Sequence, residues 1–212
     1  MNYVDQFFRW NCKDDIMKAV PNFGSKPMKE ITEAMAIRNM VSEIVIKEKN
    51  KMKYSIIDLC AGVGLAGIFC VYTLPVMEVI GIDKQKRIKN DYLKIKRYGF
   101  FEINIYNNSF INISIPTILV SVHPCKKLAE KVIDIYCEND NIEYLFLMPC
   151  CGGGDVHDSF IENKLGKYVD WCYYLKERII NNSKSIIKIK EDIKIMSPKN
   201  IIISARKEKI KI

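Results

Sequence analysis

Apolar positions along this chain change period twice. From Pro27 to about Lys49 they recur every three or four residues, with Ile31, Ala34, Met35, Val41, Ile44 and Val45 separated by charged positions, which predicts an amphipathic helix. Pro27 suits the first helical turn, where its missing N–H costs nothing, and Asn50-Lys51 closes the segment. Before it, residues 1–25 mix Phe7, Phe8 and Trp10 with Pro21, Asn22 and Gly24, predicting a short helix and a loop. After it, short β-branched runs alternate with helical patterns. Strands are predicted at Ser55–Cys60, Glu78–Asp83, Phe101–Tyr106, Thr117–Val122 and Glu143–Met148. Helices are predicted over Gly64–Tyr72, from Lys84 to about Tyr98, and over Lys126–Cys137, where Leu128, Val132, Ile133 and Tyr136 share a face.

These strand runs are apolar on both faces, as a parallel sheet covered by helices on both sides requires. Ser159 and Glu162 are spaced as a capping box opening a helix to about Asn181, with Tyr168, Trp171, Cys172, Leu175 and Ile179 as its apolar stripe. Two further strands, Ser185–Lys190 and Asn200–Ala205, flank a loop containing Pro198. The fold class is therefore α/β, with residues 1–50 an N-terminal helical lid segment and 51–212 the main unit of one structural domain.

Composition changes this picture little. The chain has 212 residues, 49% hydrophobic and 27% charged, ordinary for a soluble globular protein. Its longest apolar run, Leu65 to Met77, is interrupted by Pro75 and too short to span a bilayer. Asp5, Arg9 and Asp14 at the N-terminus are unlike a signal peptide, so a cytoplasmic protein without a membrane partner is expected. Eight cysteines occur without any C-x-x-C pair; Cys60, Cys70, Cys137 and Cys172 sit among apolar residues, so reduced thiols are expected. The net charge of +8 favours a polyanion, although lysines run from Lys13 to Lys211 without forming one block.

The chemistry concentrates at Asp58-Leu-Cys60-Ala61-Gly62-Val-Gly64-Leu65-Ala-Gly67. Gly62, Gly64 and Gly67 match G-x-G-x-x-G between a strand and a helix. In that pattern the first glycine makes a tight turn, the second lets a ligand approach the backbone, and the third permits close helix–strand packing. Asp83 ends the second strand roughly 20 residues on, where a carboxylate accepts hydrogen bonds from ribose hydroxyls. Such a site suits NAD and S-adenosylmethionine alike. Asp58 separates them, because a carboxylate just before the glycines repels a diphosphate and attracts a cationic sulfonium and ammonium.

With Gly81-Ile82-Asp83, this stretch resembles motifs I and II of class I S-adenosylmethionine-dependent methyltransferases. The resemblance covers residues from about 53 to 206, including the two C-terminal strands. It implies a Rossmann-like, seven-stranded, mostly parallel sheet with a C-terminal antiparallel hairpin and an N-terminal helical segment. It also implies that Asp58, Gly62 and Gly64 lie around the methionine moiety of the cofactor and Asp83 at the ribose, with Cys60, Ala61, Leu65, Gly67 and Lys84 also part of the cofactor site. Asn108 or Ser109 would lie near the adenine, with Phe110 a stacking partner.

Ligands of open α/β sheets bind beyond the carboxyl ends of the strands. The exits of the fourth and fifth strands, His123-Pro-Cys125 and Pro149-Cys150-Cys151, should therefore face the methyl group. His123 could act as general base or orient an acceptor. Cys125, opening a helix, or Cys150 could be a nucleophile, in the manner of the thiols of cytosine-C5 methyltransferases. His123, Cys125, Cys150, Cys151 and His157 contain enough donors for zinc, but the spacing is irregular and no metal is expected.

His123-Pro-Cys125-x-x-Leu128 with Cys150-Cys151 is also similar to a methyltransferase branch holding tRNA ribose 2′-O-methyltransferases and ribosomal-RNA-adenine-dimethylase-like proteins. Lys126 and Gly152-Gly153-Gly154 depart from that branch's pattern. The glycine run suggests a mobile flap. The expected function is S-adenosylmethionine-dependent methyl transfer, with nucleic acid, RNA favoured, or a small molecule as acceptor. A non-catalytic S-adenosylmethionine- or nucleic-acid-binding subunit and an NAD-dependent oxidoreductase are the alternatives.

Overall fold

The computed structural model describes residues 1–85, 91–107, 113–150 and 166–208. Three helices come first: α1 (Tyr3–Phe8), α2 (Lys13–Ala19) and α3 (Pro27–Val45). The predicted long helix is α3, with Pro27 in its first turn. The single short helix expected before it is two, because Trp10 and Cys12 carbonyls start a second hydrogen-bonded turn. Alternating strands and helices follow: β1 (Ser55–Leu59), α4 (Leu65–Thr73), β2 (Val79–Asp83), β3 (Tyr98–Glu102), β4 (Thr117–Val122), α5 (Lys127–Glu138), β5 (Ile142–Met148), α6 (Lys167–Asn182), β6 (Ser185–Glu191) and β7 (Ile201–Lys207).

They form one seven-stranded sheet in the order β3-β2-β1-β4-β5-β7-β6. All pairings from β3 to β5 are parallel, and β7 runs antiparallel to both β5 and β6. This is the Rossmann-like sheet with an antiparallel C-terminal hairpin that the resemblance implies. Strand order reverses between β1 and β4, so the exits of these two strands form a crevice of the kind in which open α/β sheets bind ligands.

Alternate residues of the central strands feed two cores. Ile56, Ile118, Val120, Phe146 and Met148 face the layer of α1, α2, α3 and α4, in the company of Phe7, Ile16, Met35, Val41 and Phe69. Ile57, Leu59, Leu119, Leu145 and Leu147 face α5 and α6, with Val132, Tyr136, Trp171 and Leu175. The N-terminal segment belongs to the first core: Phe7 stacks on Phe69 at 5.1 Å between centroids, and Arg38 Nε donates to Thr73 Oγ1 at 2.9 Å. The Tyr3 hydroxyl, donating to Asp192 at 2.6 Å, ties α1 to the loop between β6 and β7.

The region after β2 departs from expectation. No helix extends to Tyr98; residues 86–90 lie outside the described part, and a single 3-10 turn, Tyr92–Lys94, follows. Arg97 adopts φ 63°, which a continuing helix does not allow, and its guanidinium is held by the Val71 and Val76 carbonyls. The third strand accordingly starts three residues earlier than expected, with Tyr98 beside Val79. The capping pair Ser159 and Glu162 lies outside the described residues; α6 is described from Lys167. Among the described residues, no helix is long and apolar enough to cross a membrane.

Candidate active site

β1 ends in a tight loop that two carboxylates hold from below and beside. Asp58, the fourth residue of β1, is 1% exposed, and its Oδ2 accepts the Gly67 N–H at 3.0 Å. Asp83, the last residue of β2, accepts the Gly62 N–H at 2.9 Å and the Gln85 N–H at 3.1 Å. Both aspartates thus brace the loop through glycine amides, leaving further lone pairs on each carboxylate.

Gly67 takes the packing role that the sequence pattern gives it, whereas the open approach to the backbone falls to Gly62 rather than Gly64. Gly64 caps α4 at φ 75°, and a Cβ there would collide with the Tyr98 hydroxyl. Gly67 packs against β2, since its Cβ would lie 2.8 Å from Val79 Cγ1 and 3.2 Å from Asp58 Oδ2. Gly62 is the glycine with open space beside it.

That space is part of a cavity of about 730 Å³ above the β1–β4 crevice. Asp58, Cys60, Ala61, Gly62 and Leu65 line it from the loop, Val122 and His123 from the end of β4. Its opposite wall comes from the N-terminal segment: Asn22 to Ser25, then Glu30, Glu33 and Ala34 of α3. Gly64 and Gly67 support the floor without lining it, and Asp83 acts behind Gly62. Lys84 is exposed beside Asp83. Asn108, Ser109 and Phe110, expected near an adenine, and Cys151 to His157 lie outside the described residues.

Burial dominates the electrostatics. Removal from water pushes the Asp58 carboxyl up to about 7, the Gly67 N–H opposes the shift, and the Asp83 charge adds to it. Burial, then Asp83 and Asp58, push the Cys60 thiol up to about 12, so Cys60 is a neutral wall rather than a nucleophile. Cys60 and His123 end adjacent strands with φ of 57° and 59°. For residues with side chains this left-handed conformation is strained and is retained where surrounding structure over-determines it.

His123 is over-determined. Its N–H donates to the Met148 carbonyl at 2.7 Å, pinning the β4 exit to the β5 exit. Its Nε2 lies 2.6 Å from Glu33 Oε1 and 3.2 Å from Lys29 Nζ. Lys29 is one helical turn before Glu33 and sits 2.9 and 3.0 Å from its two oxygens. Glu33 is 1% exposed, a position where a carboxylate is costly unless it is paired. Neither Lys29 nor Glu33 stands out in the sequence by motif. The one sequence signal is that Glu33 falls inside the mostly apolar stretch Ile31-Thr-Glu33-Ala-Met-Ala-Ile37; that the stretch is buried, where a carboxylate almost always has a partner, is known only from the structure.

The β4 and β5 exits bring Cys125 and Cys150 together, with sulfurs 2.9 Å apart. Each thiol also points to the His123 carbonyl at 3.6 Å. Neither lines the cavity; they stand behind His123. Among the described residues, no group of three or more His, Cys, Asp or Glu could hold a metal ion.

A family model described as a methyltransferase domain matches residues 26–153, more than half of the chain. The chain belongs to that family. The match begins at Lys26, so it takes in Lys29 and Glu33 with the glycine loop and His123.

The methyltransferase has solved structural relatives of low identity that share its fold. One is an rRNA methylase from Streptococcus thermophilus, with TM-score 0.54 and 11% identity over 84% of this chain and 97% of that one. Another is the plantazolicin methyltransferase BpumL in complex with SAH, with TM-score 0.52 and 12% identity over 98% and 95% of the two chains. The 23S rRNA methyltransferase ErmE matches with TM-score 0.51 and 11% identity over 81% and 68%. No curated protein matches the sequence.

Proposed function

We infer that this methyltransferase uses S-adenosylmethionine and transfers its methyl group to RNA. The observation that carries the cofactor is Asp58: a buried carboxylate, lacking a cationic partner in the contacts described, lines a cavity large enough for a nucleoside ligand. A cation recovers the solvation that Asp58 has lost, whereas a diphosphate would increase the penalty. The residues therefore fit S-adenosylmethionine and disfavour NAD. Asp58, Cys60, Ala61, Gly62 and Leu65 would hold the methionine part, and Asp83 the ribose.

When bound, S-adenosylmethionine supplies an electrophilic methyl group. The rest is positioning by this chain. Asp58 orients the cationic end, and the N-terminal segment supplies the facing wall of the cavity through Asn22 to Ser25, Glu30, Glu33 and Ala34. Glu33 and Lys29 hold the His123 ring at Nε2, which fixes it at the edge of the cavity for contact with an acceptor. His123 is assigned as an orienting group, with Cys125 and Cys150 supporting its backbone rather than attacking substrate.

RNA is supported by the net charge of +8 and by where part of it lies. A groove of about 530 Å³ between α3 and the exposed face of β5, β6 and β7 carries Lys47, Lys188, Lys190 and Arg206 beside Tyr144. Glu43 and Glu48 also lie in it, so cations outnumber anions without excluding them. Phosphate contacts of this kind give affinity that falls steeply with salt. Two of the structural relatives are methylases of ribosomal RNA.

The test incubates the protein with labelled S-adenosylmethionine and fractionated cell extract. Label in RNA, with binding that weakens as salt rises, is expected. Label in small molecules alone, with a salt-insensitive KM, overturns the RNA acceptor. Tight NAD binding without S-adenosylhomocysteine binding overturns the cofactor.

A further inference from the structure

The cysteines among the described residues fall into two groups. Burial raises the thiol pKa of Cys12, Cys60, Cys70, Cys137 and Cys172, which makes them poor nucleophiles. Cys125 and Cys150 are placed differently. Cys125 is exposed and Cys150 half-buried, and their sulfurs are 2.9 Å apart. Both are thiols in this structure.

The backbone holds them in place. Pro124 precedes Cys125 and Pro149 precedes Cys150, and each ring restricts the chain entering its cysteine. His123 and Lys126 on either side of Cys125 both have positive φ, 59° and 48°. Three backbone hydrogen bonds keep that turn in shape: His123 N–H to Met148 O at 2.7 Å, Leu128 N–H to Cys125 O at 3.0 Å, and Ala129 N–H to Lys126 O at 2.9 Å. Two thiols presented this way on adjacent, parallel-paired strand exits face each other at high effective concentration. Closing from 2.9 Å to the bond length of about 2.05 Å takes a shift of roughly 1 Å, within reach of small side-chain rotations.

We propose that Cys125 and Cys150 form a reversible oxidation site: a low-molecular-weight disulfide converts the pair into an intramolecular disulfide that bridges the β4 and β5 exits behind His123. The Cys125 thiolate attacks one sulfur of the reagent and expels one thiolate. The Cys150 thiolate then attacks the Cys125 sulfur of the mixed disulfide and expels the second. Two S–H bonds and the reagent's S–S bond are broken. One protein S–S bond and two reagent S–H bonds are formed, and two electrons pass from the protein sulfurs to the reagent. Exposure makes Cys125 the entry point, and Cys150 is the resolving thiol.

The consequence reaches the site through one atom. Both thiols point to the His123 carbonyl at 3.6 Å, and a disulfide has no S–H to donate. Oxidation therefore removes both sulfur donors from the residue that lines the cavity, while Asp58 and the glycine loop keep their bonds. Neither the chemistry nor its readout depends on the methyl-transfer reading.

The full-length protein, first reduced, is incubated with excess oxidised glutathione, quenched in acid and analysed by intact mass and peptide mapping. The expected product is two hydrogens lighter, with Cys125 joined to Cys150, and dithiothreitol restores it. Cys150→Ser should instead trap glutathione on Cys125, Cys125→Ser should lose the crosslink, and Cys151→Ser should retain it. The imidazole resonance of His123, told from that of His157 with a His157→Gln variant, should shift on oxidation and return on reduction. No crosslink in the wild-type protein, a crosslink through Cys151 or Cys60, or an unmoved His123 resonance overturns the proposal. The wild-type peptide map decides even if a serine variant fails to fold.

Discussion

Glu33 Oε1 and His123 Nε2 are 2.6 Å apart, joining the middle of an N-terminal helix to the exit of the fourth strand. Lys29 contacts both. The three side chains form one charge-linked group at the cavity wall, and the N-terminal segment is thereby tied to the β4 exit.

Replacing Glu33 by Gln leaves the shape and removes the charge, so Lys29 and His123 lose their shared partner. We expect destabilisation of about 1–3 kcal/mol. The double variant Glu33→Gln/His123→Ala should fall short of additivity by about 0.5–3 kcal/mol, as groups in one network do. Urea denaturation of the four proteins of the cycle measures this. Strict additivity would show that the contact carries no coupling.

Asp58 should make stability depend on pH. In the folded chain its carboxyl is raised from 3.8 to about 7. Below the lower value the group is neutral folded and unfolded, and no penalty exists. As pH rises toward 7 the unfolded chain loses its proton while the folded chain keeps it, so stability falls; above 7 the full penalty remains, on the order of 4 kcal/mol. Asp58→Asn cannot ionise, and should be more stable than wild type at pH 8, with the gap narrowing toward pH 4. Denaturant midpoints at the two pH values decide it, and an equal gap at both would refute the assignment.

The same carboxyl should govern ligand binding. A ligand with an ammonium group needs Asp58 ionised, so the Kd for S-adenosylhomocysteine should rise about tenfold per pH unit below 7 and level off above it. Calorimetry across pH 5.5–8.5 reads this directly. The Asp58→Asn protein should bind weakly with a flat profile, and a wild-type profile that is flat as well would remove Asp58 from the site.

Gly67→Ala should destabilise the loop, because the new methyl would lie 2.8 Å from Val79 Cγ1 and 3.2 Å from Asp58 Oδ2. Overpacking of this kind costs about 1–3 kcal/mol. Val79→Ala should recover part of the loss by opening room on the β2 side. Thermal melts of the single and double variants test it; no recovery would locate the clash at Asp58 instead.

Local pattern determined much of this protein. The β-branched runs of β1, β4 and β5 are apolar on both faces, and a doubly covered parallel sheet needs that wherever it occurs. The spacing of Gly62, Gly64 and Gly67 sits in the strand–loop–helix setting that brings Asp58 and Asp83 to the same loop. These features are encoded within a few residues, or follow from strand order alone. Two things were not local. The register of β3 depends on Tyr98, whose hydroxyl fills the space left above Gly64 and Gly81 on other segments, so the strand begins at Tyr98 rather than Phe101. The pairings of Glu33 with His123 and of Cys125 with Cys150 arise only when α3 docks on the sheet and the β4 and β5 exits align. Side-chain partners so distant along the chain leave no periodic trace; burial of a lone carboxylate and the closeness of two strand ends decide them, and both are properties of the folded chain.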